Sequence, residues 1–520
     1  MGLLCWGVFG LVVGCSQEPD SSQECSQDGD CLLGQVCLEG RCSDGCRDEG
    51  CSCEQDNDCG FRLSCVDNAC QPSSELVCGS SADEGADACP SGQRDSYGIC
   101  APMEPTPPMM TSPEGCPAGM SPEGVCLPVT PALPRWFCPD GWENVQLFSS
   151  AEQFGDHWPD TLAIPTACRP PELPRSCPPG MMPVVGESGC VRMGPECPSD
   201  GSLWPNEAAL RARAAEYEGR VWYVSPDGLP EGDGTPQNPL GSVAVAVAQA
   251  VAGDVIALGV GTFMETVVLD KNVALVGACV EGTLLTAPDP GSEAILRVAR
   301  GSAARRWVSD LTLTGARPGL SVDRVSGVQV HAVHIRGASG VGVLAGSFSG
   351  LPLVLEDVLI TDTVQTQLSG GFEGGGAGAF LSQGVVQANR LTLIGNSLGG
   401  IIVTGGFSDV RLADVAIVDT MLNPALGVGG GIAVQSGSTV TLERGLIERN
   451  TTYGVEVADS GTSVELSDVV MSETQSLAVG SGQGLSVLEG AEVELCRAWV
   501  ADNHDTGIHV DGEEGASRAT

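Results

Sequence analysis

Glu473 and Asp502 stand at equivalent positions of successive repeats, with His504 and Asp505 beside the second. Two carboxylates stacked about 5 Å apart suit the nucleophile and acid of a retaining glycosidase, and they also suit a calcium ion. An exposed acidic turn is the competing explanation, because the same column holds Gly395 and Arg449 on other repeats. The remaining histidines offer less. His331 and His334 are three apart, which on a flat strand sends them to opposite faces and makes a poor metal pair. His509 follows Gly507 on the last strand. Aromatic residues make up only 4% of the chain, so no stacking platform for sugar rings is evident among Phe348, Phe372, Phe380, Phe407, Tyr453 and Trp499. Phe372 is the one placed in the longest loop.

The elements that must position these residues are short apolar strands in a two-column ladder. One column reads Asp357, Arg390, Asp414, Arg444, Asp468, Arg497, and six residues later a second reads Thr363, Asn396, Thr420, Asn450, Thr474, Asn503. Both alternate in phase, so two small repeats make one larger unit, and repeats of strands without helices indicate a β-solenoid. Val358 and Ile360, Leu391 and Leu393, Val415 and Ile417, and Val469 and Met471 sit two apart, as residues of one buried face do. Stacked strands lie about 4.8 Å apart, so a column of one charge repels itself, whereas Asp over Arg fixes register at about 0–1 kcal/mol per exposed pair.

A glycine opens the next strand four residues after each Asn, at Gly400, Gly454 and Gly507. After Thr363, Thr420 and Thr474 it comes 15, 11 and 10 residues later, at Gly378, Gly431 and Gly484. Long glycine-rich loops therefore leave every second rung on one side, where insertions in repeat proteins carry function or are tolerated as slack.

The start of this region, Val221-Trp-Tyr-Val-Ser-Pro-Asp-Gly, then Gly234-Thr, Gly253-Asp-Val-Ile-Ala-Leu, Gly261-Thr-Phe and Val273-Ala-Leu-Val-Gly277, resembles the opening of right-handed parallel β-helix proteins of the pectin-lyase-like superfamily. The resemblance implies an all-β fold, a right-handed parallel β-helix over 221–520, capped by a helix at Ser242 to Ala252, where Val243, Val247 and Val251 give an apolar stripe. It also implies sites to look for. The Gly-His-Gly and Arg-x-Lys of polygalacturonase-like members are missing, and the arginines that a pectate lyase needs on its groove are committed to the ladder. A second helix is expected within the linker 201–220, at Asn206 to Glu218, stopped by Gly219.

Residues 1–14 end in Leu11-Val-Val-Gly-Cys15 and resemble a bacterial lipoprotein signal, which implies lipidation of Cys15 and, with Ser16 next to it, sorting to the outer membrane. Residues 15–24 form the tether. Two modules follow at 25–75, where Cys25, Cys31, Cys37 and Cys42 recur 28 residues later as Cys53, Cys59, Cys65 and Cys70. Such small modules need cross-links, and disulfides are expected over zinc because the gaps are wide and histidine is scarce. The Asp28/Asp30 and Asp56/Asp58 pairs read as polar turns or calcium ligands. Over 76–200 the motif Cys-Pro-x-Gly recurs between proline-rich links, which reads as a disulfide-rich stalk. Cys279 and Cys496 are several rungs apart, too far to pair with each other, and are expected as free thiols.

The net charge of −41 rests on 66 acids against 25 bases, and Lys271 is the only lysine. Nucleic acid and anionic polymers are poor partners for such a surface. A lipid-anchored surface protein that displays a non-catalytic β-helix toward an extracellular polysaccharide or a surface protein is therefore expected. No cofactor is expected, with calcium the one candidate. The alternative is a polysaccharide lyase or glycoside hydrolase using Glu473 and Asp502. Residues 511–520 show no evident strand or cap, so an open edge is expected on the last rung.

Overall fold

The structure is a computed structural model that describes residues 138–146, 166–287, 289, 291, 293–299, 305–346, 351–365, 375–476 and 482–511, with short strands elsewhere. The chain forms two compact units, Met1–Val77 and Cys78–Thr520. In the first, the hairpin Gln35–Leu38 with Arg41–Asp44 recurs as Leu63–Val66 with Ala69–Pro72, and Cys37 faces Cys42 as Cys65 faces Cys70. The 28-residue repeat is thus a repeated hairpin. Cys15 and the paired aspartates lie outside the described residues.

The second unit is a right-handed parallel β-helix, as expected. Ten short strands stack in one sheet, and the longer strands stack in a second sheet of fourteen. Each of the longer strands from Arg306–Gly315 onward turns a corner at one residue: Asp357, Arg390, Asp414, Arg444, Asp468 and Arg497 all have φ between 51 and 57°. The ladder column is therefore a left-handed bend that folds one strand across two faces. Left-handed backbone costs a β-branched residue most and Asp less than most residues with a side chain, which accounts for part of the column's composition. Residues on either side of the bend stay in register, for example Glu356 with Asn389 and Val358 with Leu391. Val358, Ile360, Leu391, Leu393, Val415, Ile417, Val469 and Met471 all enter the central core.

Each ladder arginine reaches back one rung. Arg390 Nη2 lies 2.5 Å from Asp357, Arg444 grips both oxygens of Asp414 at 2.7 and 2.9 Å, and Arg497 grips both of Asp468 at 2.6 and 2.5 Å. In the second column each asparagine bridges to the threonine rung before it. Asn396, Asn450 and Asn503 accept from the N–H of Thr363, Thr420 and Thr474, each at 3.1 Å. The glycines that open the strands after the long loops, Gly378, Gly431 and Gly484, leave room for those amides: a Cβ on Gly484 would lie 2.6 Å from Asn503 Nδ2.

The capping helix is Val243–Gln249, with Ser242 as its N-cap. Its buried stripe is Val243, Ala246 and Val247, whereas Val251, expected on it, lies past the helix end and is 64% exposed. Glu265 accepts from Val243 and Ala244 N–H at 2.7 and 3.1 Å, and Lys271 donates to the carbonyls of Val247, Ala248 and Ala250. An acid at the positive end and the lone lysine at the negative end thus pin the helix as its dipole requires. The linker helix is Glu207–Arg213, shorter than expected, and Arg213 reaches the buried Asp310 at 3.5 Å.

Two expectations are corrected. The described part of the expected stalk lies on the solenoid: Trp142, Leu173 and Val185 pack on Ala416, Val418, Leu446 and Val470, and Met182, Val184 and Met193 pack on Ala332 and Leu359. These contacts cover the face after the bend, and Thr392 Oγ1 donates to Pro183 O across it at 2.7 Å. We call this segment the strap. Its hairpins are closed by Cys138–Cys168 and Cys177–Cys190. Nor are the two late cysteines free. Cys197 at the end of the strap bonds Cys279, and Cys496 is also disulfide-bonded. The strap brings its last cysteine back to the first rungs, a proximity that spacing along the chain does not reveal.

At the far end Ile508 and Val510, which continue inward columns, are 43% and 45% exposed. The short strand Arg518–Ala519, where no strand is expected, pairs with Glu492 and Val493.

Candidate functional site

In the ten-stranded sheet, each outward residue is framed by inward ones. Arg297 lies between Leu296 and Val298, Ser321 between Leu320 and Val322, Leu344 between Val343 and Ala345, and Phe380 between Ala379 and Leu381, all eight of which are in the core. Register stacks Arg297, Ser321, Leu344 and Phe380 on successive rungs, with Asp323, Gly346 and Ser382 two residues further along the same strands. With Glu293 from the preceding turn they line a groove of about 350 Å³. Arg297 Nη2 lies 3.4 Å from Asp323 Oδ2, and Arg324 Nε lies 3.7 Å from the other oxygen. Arg297 and Asp323 are each more than 40% exposed, so both keep capacity to bond a ligand. Fixed donors and acceptors beside an apolar Leu344–Phe380 strip are what a sugar ring presents its hydroxyls and its C–H face to.

The same outward column continues through Ile402, Ala433, Glu456, Ser486 and His509. Burial, helped by the charge of Glu489, pushes the Glu456 carboxyl up to about 7. Three residues earlier the Tyr453 ring lies over Gly430, where a Cβ would come within 1.9 Å of it, and burial holds its phenol well above the ordinary value.

Glu473 and Asp502 lie elsewhere. They occupy a second left-handed corner, φ 55° and 56°, in a column with Asp362, Gly395, Asp419 and Arg449. Both are exposed, as are His504 and Asp505. Arg449 is no random member: it grips both oxygens of Asp419 at 2.8 and 3.2 Å and also bonds Glu448. Glu473 and Asp502 follow the rungs of Glu456 and Ser486 and share no wall with the Arg297 groove. His331 and His334 do diverge, but the bend at Ala332 turns both outward onto two faces rather than one in and one out. His334 bonds Thr361 at 3.1 Å, and burial pulls its imidazole down to about 4, with Arg336 adding to the effect.

The long loops lead into the ten-stranded sheet. In the second, Asn423 is fully buried, accepts from Ala425 and Leu426 N–H, and donates to Gly375 O of the loop before it at 2.9 Å. Phe372 lies outside the described residues.

The groove was legible in principle. Each short strand carries an apolar-x-apolar triplet whose middle residue must face out, but unequal loop lengths hide the alignment of those middles. Among the described residues no helix is long and apolar enough to cross a membrane.

Residues 318–518 match the family described as the right handed beta helix region. No curated protein matches the chain. Among solved structures, pectate lyase Pel9A is 14% identical with a TM-score of 0.41, covering 58% of this chain and 79% of that one. A rhamnogalacturonan lyase is 13% identical, TM-score 0.28, over 58% and 87%. The A-module of an Azotobacter vinelandii mannuronan C-5 epimerase is 14% identical, TM-score 0.27, over 53% and 90%.

Proposed function

We propose that this chain is a cell-envelope protein, lipid-anchored through Cys15 at the outer membrane, whose β-helix binds an extracellular polysaccharide without turning it over. The observation that carries the reading is the groove in which Arg297 and Asp323 stand beside Leu344 and Phe380. Disulfides among the described cysteines agree with export. The charge of −41 favours a neutral glycan or a surface protein over nucleic acid or an acidic polymer, unless calcium bridges the two.

The second reading is a polysaccharide lyase or glycoside hydrolase. Glu456 favours it, since a carboxyl titrating near 7 is matched to general acid work. Glu473 and Asp502 remain its other candidates.

A glycan array probed with the oxidised full chain, with and without calcium, tests both readings when each hit is assayed for new reducing ends and unsaturated products. Binding that Arg297→Ala and Phe380→Ala each weaken about tenfold or more, without product, is the expected result. Product formation abolished by Glu456→Gln, or by Glu473→Gln with Asp502→Asn, replaces binding with catalysis. Absence of any hit removes the groove reading.

A further inference from the structure

Outside the groove, one cluster among the described residues joins a histidine to two carboxylates. Register stacks Ser309, His331 and Glu356 on successive rungs of the face before the bend, and Asp357 is the corner residue beside Glu356. His331 Nε2 lies 3.6 Å from Asp357 Oδ2 and 3.9 Å from Glu356 Oε2. One ligand atom from each of the three falls within 4.8 Å of the others.

We propose that His331, Glu356 and Asp357 bind a single divalent transition-metal ion of the zinc class. Metal–ligand bonds of about 2.1 Å in a tetrahedral set place the ligands about 3.4 Å apart, so the observed separations need only small side-chain movements to close on an ion. One imidazole and two carboxylates suit zinc better than calcium, which takes six to eight oxygens. The cluster is also held in place from outside. Trp307 stacks on the His331 ring with centroids 5.9 Å apart and planes 19° apart. Arg390 Nη2 donates at 2.5 Å to Asp357 Oδ2, the same oxygen that faces His331, so this oxygen would accept from Arg390 with one lone pair and bind the ion with the other. Asp357 is nearly buried, whereas His331 and Glu356 are 31% and 42% exposed, which leaves an open path for the ion and room for water in the remaining position. The charges facing the cluster are Arg390 and, beyond Ser309, the Asp310–Arg213 pair. The other such group among the described residues, Cys197, Cys279 and Glu281, offers no competing site, because its sulfurs are joined in a disulfide.

Isothermal titration of the chelator-treated, fully oxidised full chain with zinc chloride tests the assignment, with cobalt as a spectroscopic probe. The expected result is one equivalent of zinc, an intense visible cobalt band from a four-coordinate site, and no displacement by a tenfold excess of calcium. His331→Phe, which preserves the ring stack, should weaken zinc binding at least about 100-fold, and the exposed Glu356→Gln about tenfold. Absence of binding, binding unchanged by His331→Phe, or displacement by calcium overturns the proposal.

Discussion

Asn450 holds Thr420 from the next rung: its Oδ1 accepts the Thr420 N–H at 3.1 Å while its Nδ2 donates to Ile417 O at 3.0 Å. Both backbone groups are buried where the chain leaves the solenoid for a long loop, so the amide closes two bonds that the loop cannot supply. Asn503 makes the same two bonds to Thr474 and Met471, but on a more exposed rung. Asn450→Ala should cost about 2–4 kcal/mol, one buried unsatisfied group at each end, and Asn503→Ala measurably less. Denaturant titration followed by tryptophan fluorescence checks the order; equal losses would mean that the bridge is not what holds the loop.

The ion pairs of the bend are more buried than an exposed ladder would be, since Asp468 is only 5% exposed beneath Arg497. Hydrogen bonding to Asp468 holds the Arg497 guanidinium above its ordinary value. Arg497→Gln strands that carboxylate and should cost about 2 kcal/mol. Arg411→Gln, which breaks a 3.3 Å pair with Asp409 at 60% and 36% exposure, should cost under about 0.5 kcal/mol. Adding Asp468→Asn to Arg497→Gln should recover part of the loss, and a double-mutant cycle on unfolding midpoints reads the coupling directly.

What the chain declares openly is periodicity, and what it conceals is direction. The inward pairs such as Leu391 and Leu393 and the two alternating columns were legible because identical geometry repeats at nearly constant spacing. The left-handed bend at Asp357 or Arg390 was not, because spacing reports a column but not its φ. Leu359, Ala416, Leu446 and Val470 lie between the inward residues and are themselves apolar, which signals a strand buried on both sides. That signal marks the face beneath the strap. Cys197 with Cys279 and the Arg297–Asp323 groove depend on which rungs lie side by side, and unequal loops obscure that in the sequence. Glu473 and Asp502 shared a column, as expected, but the groove formed elsewhere.

If the strap is part of the folded core, polarity on its face should be costly even though those residues point out of the solenoid. Leu446, 4% exposed against the strap, and Gln387, exposed on the face before the bend, provide the comparison. Leu446→Lys should destabilise by about 3 kcal/mol or more, and Gln387→Lys by no more than about 0.5 kcal/mol. Hydrogen exchange of the hairpin Glu143–Gln146 with Thr166–Arg169, which follows Trp142 over Leu446, should rise in the first variant alone; protection unchanged there would mean that the strap does not depend on this face.

Glu456 and His334 set opposing pH dependences. The carboxyl is raised from 4.5 to about 7, so its contribution is fully present below pH 4.5 and is lost as pH rises through 7. The imidazole is lowered from 6.5 to about 4, so its contribution is present above pH 6.5 and is lost as pH falls toward 4. Relative to the parent chain, Glu456→Gln should therefore gain stability between pH 4.5 and 7.5, and His334→Gln should gain it between pH 6.5 and 4. Each change should reach about 1–2 kcal/mol after allowance for solvent at these partly exposed sites. Differences in unfolding midpoint between variant and parent at each pH cancel the titration of the other acids. A Glu456→Gln difference that stays flat across pH 4.5–7.5 would show that this carboxyl ionises freely and would remove the strongest support for general acid chemistry on the ten-stranded sheet.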